Sequence, residues 1–373
     1  MKILIVVWNF YPNTAYTNHT KATVKGFRES GANCDVISIK PLAKTDNMAI
    51  NKFFTGTKSI ALTALGMLFD IIQLAKVSRN YDVIYCSCGD NRIIRLTQWL
   101  ARLYKKIIVH ERTEYPDVFY PHNKKGDKKL ELNCKLVNRF DKIFVISTFI
   151  KKFYVSRGVD ENKLQVYPMI VDPSRFCGLK RTQGKKYIAY CGNLQDSKDG
   201  VSDLIKAYGQ SKIAKEMYEL WLIGNMPKDN EWEKYNSLIS QYGIEKKVCF
   251  TGQVSREDMP QKLTDADLLV LCRPANHQAE GGFPTKLGEY LATGNPVLVT
   301  RVGDIGLYIK DGVNGFLSEP DDINLFSKKL DDIASHYDKA RNVGEKGKEL
   351  VFSSFNYKVQ SAKVLETLKS LFK

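Results

Sequence analysis

Residues 267–300 read DLLVLCRPANHQAEGGFPTKLGEYLATGNPVLVT. An unbroken apolar run, Leu268 to Cys272, is followed by a polar loop carrying Gly281 and Gly282. A segment from Lys286 to Leu291 with helical spacing comes next, and a second apolar run, Val297 to Val299, closes the stretch. Short continuous apolar runs are strands buried on both faces, and a helix between two of them is the crossover of a parallel sheet. The stretch therefore predicts a strand, a glycine loop, a helix and a strand. An α/β fold with a parallel, doubly wound sheet follows.

Working outward, the same alternation predicts strands at 187–191, 219–223, 248–251, 267–272 and 296–300. Earlier in the chain it predicts strands at 2–8, 34–39, 83–87, 107–110 and 143–147. The two sets are separated by Tyr167-Pro168-Met169-Ile170-Val171-Asp172-Pro173. Its prolines bias the residues before them away from helix and mark a linker. With 373 residues, two domains of ordinary size are expected. The expectation is a first Rossmann-like domain at 1–168, a second at 169–355, and a C-terminal helix at 356–373 packing toward the first. That helix shows a broad apolar stripe of Val359, Ala362, Val364, Leu365, Leu368, Leu371 and Phe372. Ligands of such sheets sit beyond the carboxyl ends of the strands, so two such edges facing one another across a cleft would share one site.

Composition excludes several classes. Hydrophobic residues make up 43% and charged residues 26%, as in a globular protein and unlike a disordered or membrane-embedded one. The N-terminal apolar run ends in Trp8-Asn9-Phe10-Tyr11-Pro12 without a small-residue cleavage site and reads as a strand. The chain is expected in the cytoplasm. Eight cysteines, of which Cys34, Cys86, Cys191, Cys249 and Cys272 fall in or beside strand-like runs, read as buried thiols of a reducing compartment. Cys86 and Cys88 have no second Cys or His pair at zinc-site spacing. Asp265-Ala266-Asp267 precedes its strand rather than following it and reads as structural, so no metal is expected. The absence of G-x-G-x-x-G after the first strand argues against a dinucleotide cofactor.

The net charge of +15 is uneven: residues 1–170 carry 27 Lys and Arg against 14 Asp and Glu, and residues 171–373 carry 29 against 27. The excess in the first half favours an anionic partner. Residues 40–79 combine scattered lysines with the apolar stretch Ile60 to Phe69. This segment is either an element lying in an acidic membrane interface or a buried crossover helix. Nucleic acid is not expected, because no single-strand-binding aromatic motif or zinc finger accompanies the charge.

The chemistry concentrates at Glu280 to Pro296. Gly281 and Gly282 permit close approach of the backbone to a ligand, Pro284 suits a first helical turn, and free amides at a helix start attract phosphate oxygens. Lys286 stands in that first turn, where a cation opposes the helix dipole unless an anion lies nearby. Glu289, three residues on, shares its face and has the acceptor geometry for vicinal hydroxyls such as those of a ribose. Spacing alone leaves open a solvated Lys–Glu pair on an ordinary amphipathic helix.

The run from Gly281 to Pro296 resembles the donor-site motif of GT-B glycosyltransferases, specifically the retaining glycosyltransferase family 4. The resemblance extends to Tyr190-Cys191-Gly192-Asn193-Leu194 with Lys198 and Gly200. It continues through Phe250-Thr251-Gly252, Ala266-Asp267 and Asp311-Gly312-Val313-Asn314-Gly315-Phe316, and includes the linker with Phe176, covering 165–320. It implies an enzyme that moves a sugar from a nucleotide-sugar, its co-substrate, to a glycan or lipid-linked acceptor in cell-surface polysaccharide synthesis. No further cofactor is implied; the charge of the first half adds the expectation of an anionic inner membrane face as a peripheral setting, against the alternative of a buried crossover helix at 40–79. By resemblance Lys198 and Lys286 hold the donor diphosphate, Glu289 holds the ribose and Gly192 lines the diphosphate cleft. His110 contacts the sugar from the end of a first-domain strand, so that His110, Lys198 and Lys286 form the catalytic set. Retention implies front-face attack without a protein nucleophile. The donor set is completed by Asn193, Arg273, Gly281, Gly282, Phe283, Pro284 and Thr285, and Glu111, Arg112 and Glu114 are acceptor-side candidates.

The chain departs from the family pattern in three places. Gly281 stands where the family often has a first glutamate, with Glu280 one residue out of register. Asn193 replaces a usual Arg, leaving Lys198, Lys286 or Arg273 to compensate. Asn13-Thr14-Ala15-Tyr16 lacks a glycine pair. The alternatives are a sugar-nucleotide isomerase or epimerase on a similar fold, and a non-catalytic module binding an anionic polymer.

Overall fold

A computed structural model describes residues 1–11, 14–39, 72–182 and 184–372. The apolar stretch 60–69, on which the membrane-interface expectation rests, and Asn13 of the early loop lie outside the described residues. The chain divides into two compact units, Met1–Ile170 with Tyr357–Lys373, and Val171–Asn356.

The first unit holds a six-stranded parallel sheet. Its strands are β1 (Lys2–Val7), β2 (Asn33–Ser38), β3 (Val83–Ser87), β4 (Ile107–Arg112), β5 (Lys142–Val145) and β6 (Leu164–Val166), in the order β2-β1-β3-β4-β5-β6. β1 is buried along its length apart from Lys2, as a Val/Ile run covered on both faces requires. β1 pairs with β2 on one side, Val7 opposite Ser38, and with β3 on the other, Val7 opposite Ser87. The winding direction reverses between β1 and β3, which places this unit's switch point at their carboxyl ends.

The helix Tyr357–Ser370 belongs to this unit and contributes Tyr357, Val364, Leu365 and Leu368 to its core. It lies close against the helix Ala15–Glu29: a Cβ at Gly26 would sit 2.2 Å from Ser361 Oγ and 3.0 Å from the Tyr357 carbonyl oxygen, so only glycine permits this approach. Tyr357 donates its hydroxyl proton to Glu29. The buried face differs from the expected stripe, because Ala362 and Phe372 are exposed while Gln360 and Ser361 are buried. Packing against a neighbouring helix selects that face over maximal apolarity.

The second unit repeats the plan with β7 (Tyr187–Cys191), β8 (Glu219–Ile223), β9 (Val248–Gly252), β10 (Leu268–Leu271), β11 (Val297–Thr300) and β12 (Phe316–Ser318). Their order is β12-β11-β10-β7-β8-β9, again all parallel. Ile188 and Ala189 of β7 face Leu268 and Leu269 of β10. The winding reverses between β7 and β10, so the segments that follow them, from Gly192 and from Cys272, flank the second switch point.

Three differences from the sequence reading concern the sheets. β6 and β12 were not anticipated; each has three residues and closes a sheet edge. β4 runs through Arg112, so His110 lies inside the strand rather than closing it. Cys191 and Cys249 are only partly buried, whereas Cys34, Cys86 and Cys272 are fully buried. No helix among the described residues is long and apolar enough to cross a membrane.

Candidate functional site

After β10 the chain forms a short helix, His277–Gly281, capped by Asn276, whose side chain accepts from the Ala279 amide at 2.9 Å. The helix Thr285–Thr293 follows directly. Pro284 precedes it and provides no side-chain cap, which leaves the amides of its first turn without one. Phe283 is buried against Tyr308 and Phe355, at ring-centroid distances of 5.4 and 5.6 Å, so its backbone and not its ring is what it has to offer a ligand. Gly282 is not required by packing, since a Cβ there would meet nothing closer than 3.5 Å. Arg273 is buried and donates from Nη2 to the Ala279 carbonyl at 3.0 Å, bracing the loop from behind.

Lys286 points from this first turn toward the end of β7. Its ammonium lies 2.5 Å from Asp199 Oδ2 and 3.1 Å from the Tyr190 hydroxyl, and 4.7 Å from the centroid of the Tyr190 ring. The Tyr190 oxygen is 2.8 Å from Asp199 Oδ2 and 2.7 Å from the Asn193 carbonyl, its one proton serving either acceptor. A Cβ at Gly192 would sit 2.3 Å from Lys286 Nζ. Burial draws the Lys286 ammonium below its ordinary pKa, against the pull of Asp199. Burial likewise works to raise Asp199, but Lys286, Arg273 and the Tyr190 hydroxyl outweigh it and hold the carboxyl below its usual value. Burial pushes the neighbouring Cys191 thiol up to about 12.

A cation in the first helical turn calls for an anion nearby, and the chain itself provides one. Asp199 supplies the anion. Lys198, next to it, is half-buried at the same loop, and Asn193 is exposed.

Glu289 stands on the same face of the helix and is paired with Arg175 Nη1. Arg175 also donates from Nη2 to the Arg256 carbonyl at 2.7 Å. It comes from the short turn Pro173–Phe176, opened by Asp172, whose side chain accepts from the Ser174 amide at 3.1 Å. The fully buried Tyr290 ties the helix to β7, its hydroxyl accepting from the Cys191 amide at 2.6 Å. Lys286 and Glu289, Gly192, Asn193, Lys198, Arg273 and the Gly281–Thr285 backbone therefore all belong to the loops and helix start around one switch point.

In the first unit, His110 is fully buried, its Nδ1 2.9 Å from the Cys86 carbonyl and its ring stacked on Phe140 at 4.8 Å. Its Nε2 has no hydrogen-bond partner among the described residues. Glu111 points to the other face of β4. It pairs with His19 Nε2 at 2.6 Å and accepts from Ser87 Oγ at 3.1 Å, while the Tyr16 hydroxyl donates to the Ser87 carbonyl. Arg112 is buried beside Gly89, 5.7 Å from the Phe119 ring. Glu114 is half-buried. Glu111 thus serves an internal polar network at the carboxyl edge of this sheet.

Among the described residues no three His, Cys, Asp or Glu side chains converge as metal ligands. Asp267 accepts from the Tyr187 amide at 2.9 Å and pairs with Arg181, and Asp265 accepts from the Thr182 amide at 2.8 Å. Asp267 braces the start of β7, and Asp265 holds the segment that leads to it.

Residues 177–350 match the model of the group 1 glycosyl transferases. The chain has the fold of the GT-B glycosyltransferases. Over 345 residues the chain is 25% identical to a lipopolysaccharide 1,2-N-acetylglucosaminetransferase of Salmonella typhimurium, covering 80% of this chain and 86% of that protein. It is 23% identical over 327 residues to the trehalose synthase of Thermococcus litoralis, covering 75% of this chain and 77% of that one. The Anabaena protein HepE, solved in complex with UDP, shares the fold with a TM-score of 0.78 over 99% of this chain and 100% of HepE, at 18% identity.

Not legible in the sequence were Asp199, Tyr190 and Arg175 as partners of Lys286 and Glu289, and His19 as the partner of Glu111. Asp199 and Arg175 lie 87 and 114 residues from the side chains they bind, beyond any local pattern. The one available signal was the position of Asp199 between Lys198 and Gly200, within a loop already under suspicion.

Proposed function

We propose that this protein is a retaining family 4 glycosyltransferase. It takes a sugar from a nucleoside-diphosphate sugar and passes it, without a metal, to a glycan or lipid-linked acceptor in cell-surface polysaccharide synthesis. The observation that carries the donor reading is the uncapped start of the helix Thr285–Thr293 at the switch point of the second sheet, with Lys286 in its first turn and Glu289 one turn on. In this reading Lys286, Lys198 and the backbone of Gly281 to Thr285 receive the diphosphate, Gly192 leaves room for it, and Glu289 takes the ribose hydroxyls. Cleavage of the sugar–phosphate bond builds negative charge on the leaving diphosphate, and cations and amides already in place stabilise that charge in the transition state. His110 is the first unit's candidate for the sugar; it is fully buried, and its Nε2 has no hydrogen-bond partner among the described residues.

Support for the polysaccharide setting comes from the lipopolysaccharide enzyme among the relatives, and support for a nucleotide-sugar from HepE, also solved with UDP-glucose. Support for an anionic, peripheral membrane site at the cytoplasmic face comes from the charge of the first half of the chain. The surface adds to it: Arg92, Arg95, Trp99, Arg102 and Leu103 are exposed on the helix Asn91–Leu103, a basic and aromatic combination suited to a headgroup layer.

A thermal-shift panel of UDP, GDP, ADP, CDP and dTDP at low salt tests the donor reading. One base class is expected to raise Tm by about 5–10 °C near 100-fold excess over Kd, and Lys286→Ala is expected to abolish the shift. No shift with any of the five would overturn the reading. Binding to phosphatidylglycerol vesicles that persists at 1 M salt would overturn the electrostatic part of the membrane proposal.

A further inference from the structure

We propose that Asp199 is a positioning residue that holds Lys286 as a cation at the switch point and competes with the donor's diphosphate for it. The proposal rests on the reading that Lys286 receives the diphosphate. Its basis is geometric. The side chains of Lys286 and Asp199 are 19% and 8% exposed and meet at 2.5 Å. A pair so withdrawn from water is close to neutral for stability beside an apolar pair of the same size, so stability gives it no reason to stand beside the loop where a ligand is expected.

The groups facing the ammonium come from three elements: Asp199 from the turn Asp196–Asp199, Tyr190 and Cys191 from β7, and Arg273 from the segment after β10; Glu289, on the same helix as Lys286, is paired with Arg175. Arg273 is a second buried cation near Asp199. Without the carboxylate, Lys286 would face burial and a like charge together, and both favour losing its proton.

Two things follow from a carboxylate in this place. In the donor-free enzyme it keeps the lysine charged and aimed at the end of β7, so that little reorganisation is needed when a diphosphate arrives. It also opposes the anion that displaces it, which weakens the hold on donor and on released nucleoside diphosphate alike. That trade eases product departure, a step that limits turnover in many enzymes.

The test is isothermal titration of UDP, or of the panel member that binds best, between pH 6 and pH 9.5. The proteins are wild type, Asp199→Asn, Lys286→Ala and the double variant. At pH 6.5 Asp199→Asn is expected to bind roughly 3- to 10-fold more tightly, a change of up to about one pKa unit's worth of interaction. Its affinity is then expected to fall with rising pH earlier than that of wild type, as Lys286 deprotonates, so the two profiles cross. In the Lys286→Ala background, Asp199→Asn is expected to change nothing. Tyr190→Phe leaves the ring beneath the ammonium and removes the hydroxyl that orients Asp199. It is expected to move the profile the same way by a smaller amount, and it carries the test if Asp199→Asn does not fold. Profiles that stay parallel to wild type in both variants, while Lys286→Ala weakens binding, would overturn the positioning role alone. Undiminished binding by Lys286→Ala would instead overturn the donor reading beneath it.

Discussion

Replacing Gly200 by alanine probes the turn that delivers Asp199. Gly200 follows the turn Asp196–Asp199 with φ 62° and ψ 44°, the left-handed conformation, which costs an L-residue about 1–2 kcal/mol. Its Cβ would also stand 2.1 Å from the Cys272 carbonyl oxygen and 3.3 Å from the carbonyl carbon. Main chain cannot rotate aside as a side chain does, so relief requires one segment to shift, at about 1–3 kcal/mol. The sum is about 2–5 kcal/mol, or a fall in Tm of roughly 5–15 °C for a unit of this size. Gly243 provides the control: it has φ 63° with nothing within 4 Å of its would-be Cβ, so Gly243→Ala carries the conformational cost alone. Equilibrium denaturation followed by the fluorescence of Trp221 and Trp232, both in the second unit, reads both variants. Gly200→Ala is expected to be the less stable by about 1–3 kcal/mol. Equal stabilities would refute the close approach between the two segments that frame the switch point.

Further expectations address the charges and thiols of the same unit. Arg175→Ala leaves Glu289 without its guanidinium, and nucleoside diphosphate binding is expected to weaken about tenfold, the worth of one charge-assisted hydrogen bond, with Arg175→Lys intermediate. Inorganic pyrophosphate, which has no ribose, should bind both equally, and a parallel loss for pyrophosphate would move Arg175 to the diphosphate end. Asp199 titrates below its ordinary value in the fold, so its contribution to stability is present above that value of 3.8 and lost as pH falls through the folded one. Asp199→Asn should therefore show a shallower loss of stability than wild type below about pH 4 in acid titration, and identical acid limbs would contradict the pairing. Iodoacetamide at pH 8 should label the exposed Cys177 well before Cys134 and Cys191, whose thiols burial pushes up to about 11 and about 12. Mass spectrometry of the labelled peptides gives the order.

The sheets were legible because their central strands hold continuous apolar runs, as Ile3 to Val7, Val83 to Cys86, Tyr187 to Cys191 and Leu268 to Leu271 show. The two strands that escaped notice, Leu164–Val166 and Phe316–Ser318, sit at sheet edges and have three residues each, too few for any periodicity to register. β4 was cut short at His110 because His110, Glu111 and Arg112 read as a polar loop. In the fold they continue the backbone ladder, opposite Ile143, Phe144 and Val145. Glu111 is satisfied by a residue as distant as His19, information that no local pattern holds.

The helix Thr285–Thr293 shows a sharper limit. Helical spacing put Lys286 and Glu289 on one face correctly, and the helix dipole correctly demanded an anion beside Lys286. That demand does not distinguish a ligand from a side chain, and Asp199 meets it from within the chain. Glu289 likewise finds Arg175. Both charges thus enter the ligand-free state already paired; the Glu289 carboxylate has acceptor sites to keep Arg175 and still take two hydroxyls, whereas a diphosphate at Lys286 gains only the difference between its own contacts and those with Asp199 that it displaces. A site built this way favours whichever state carries the most charge at the diphosphate. In glycosyl transfer that state is the one in which the sugar–phosphate bond is breaking.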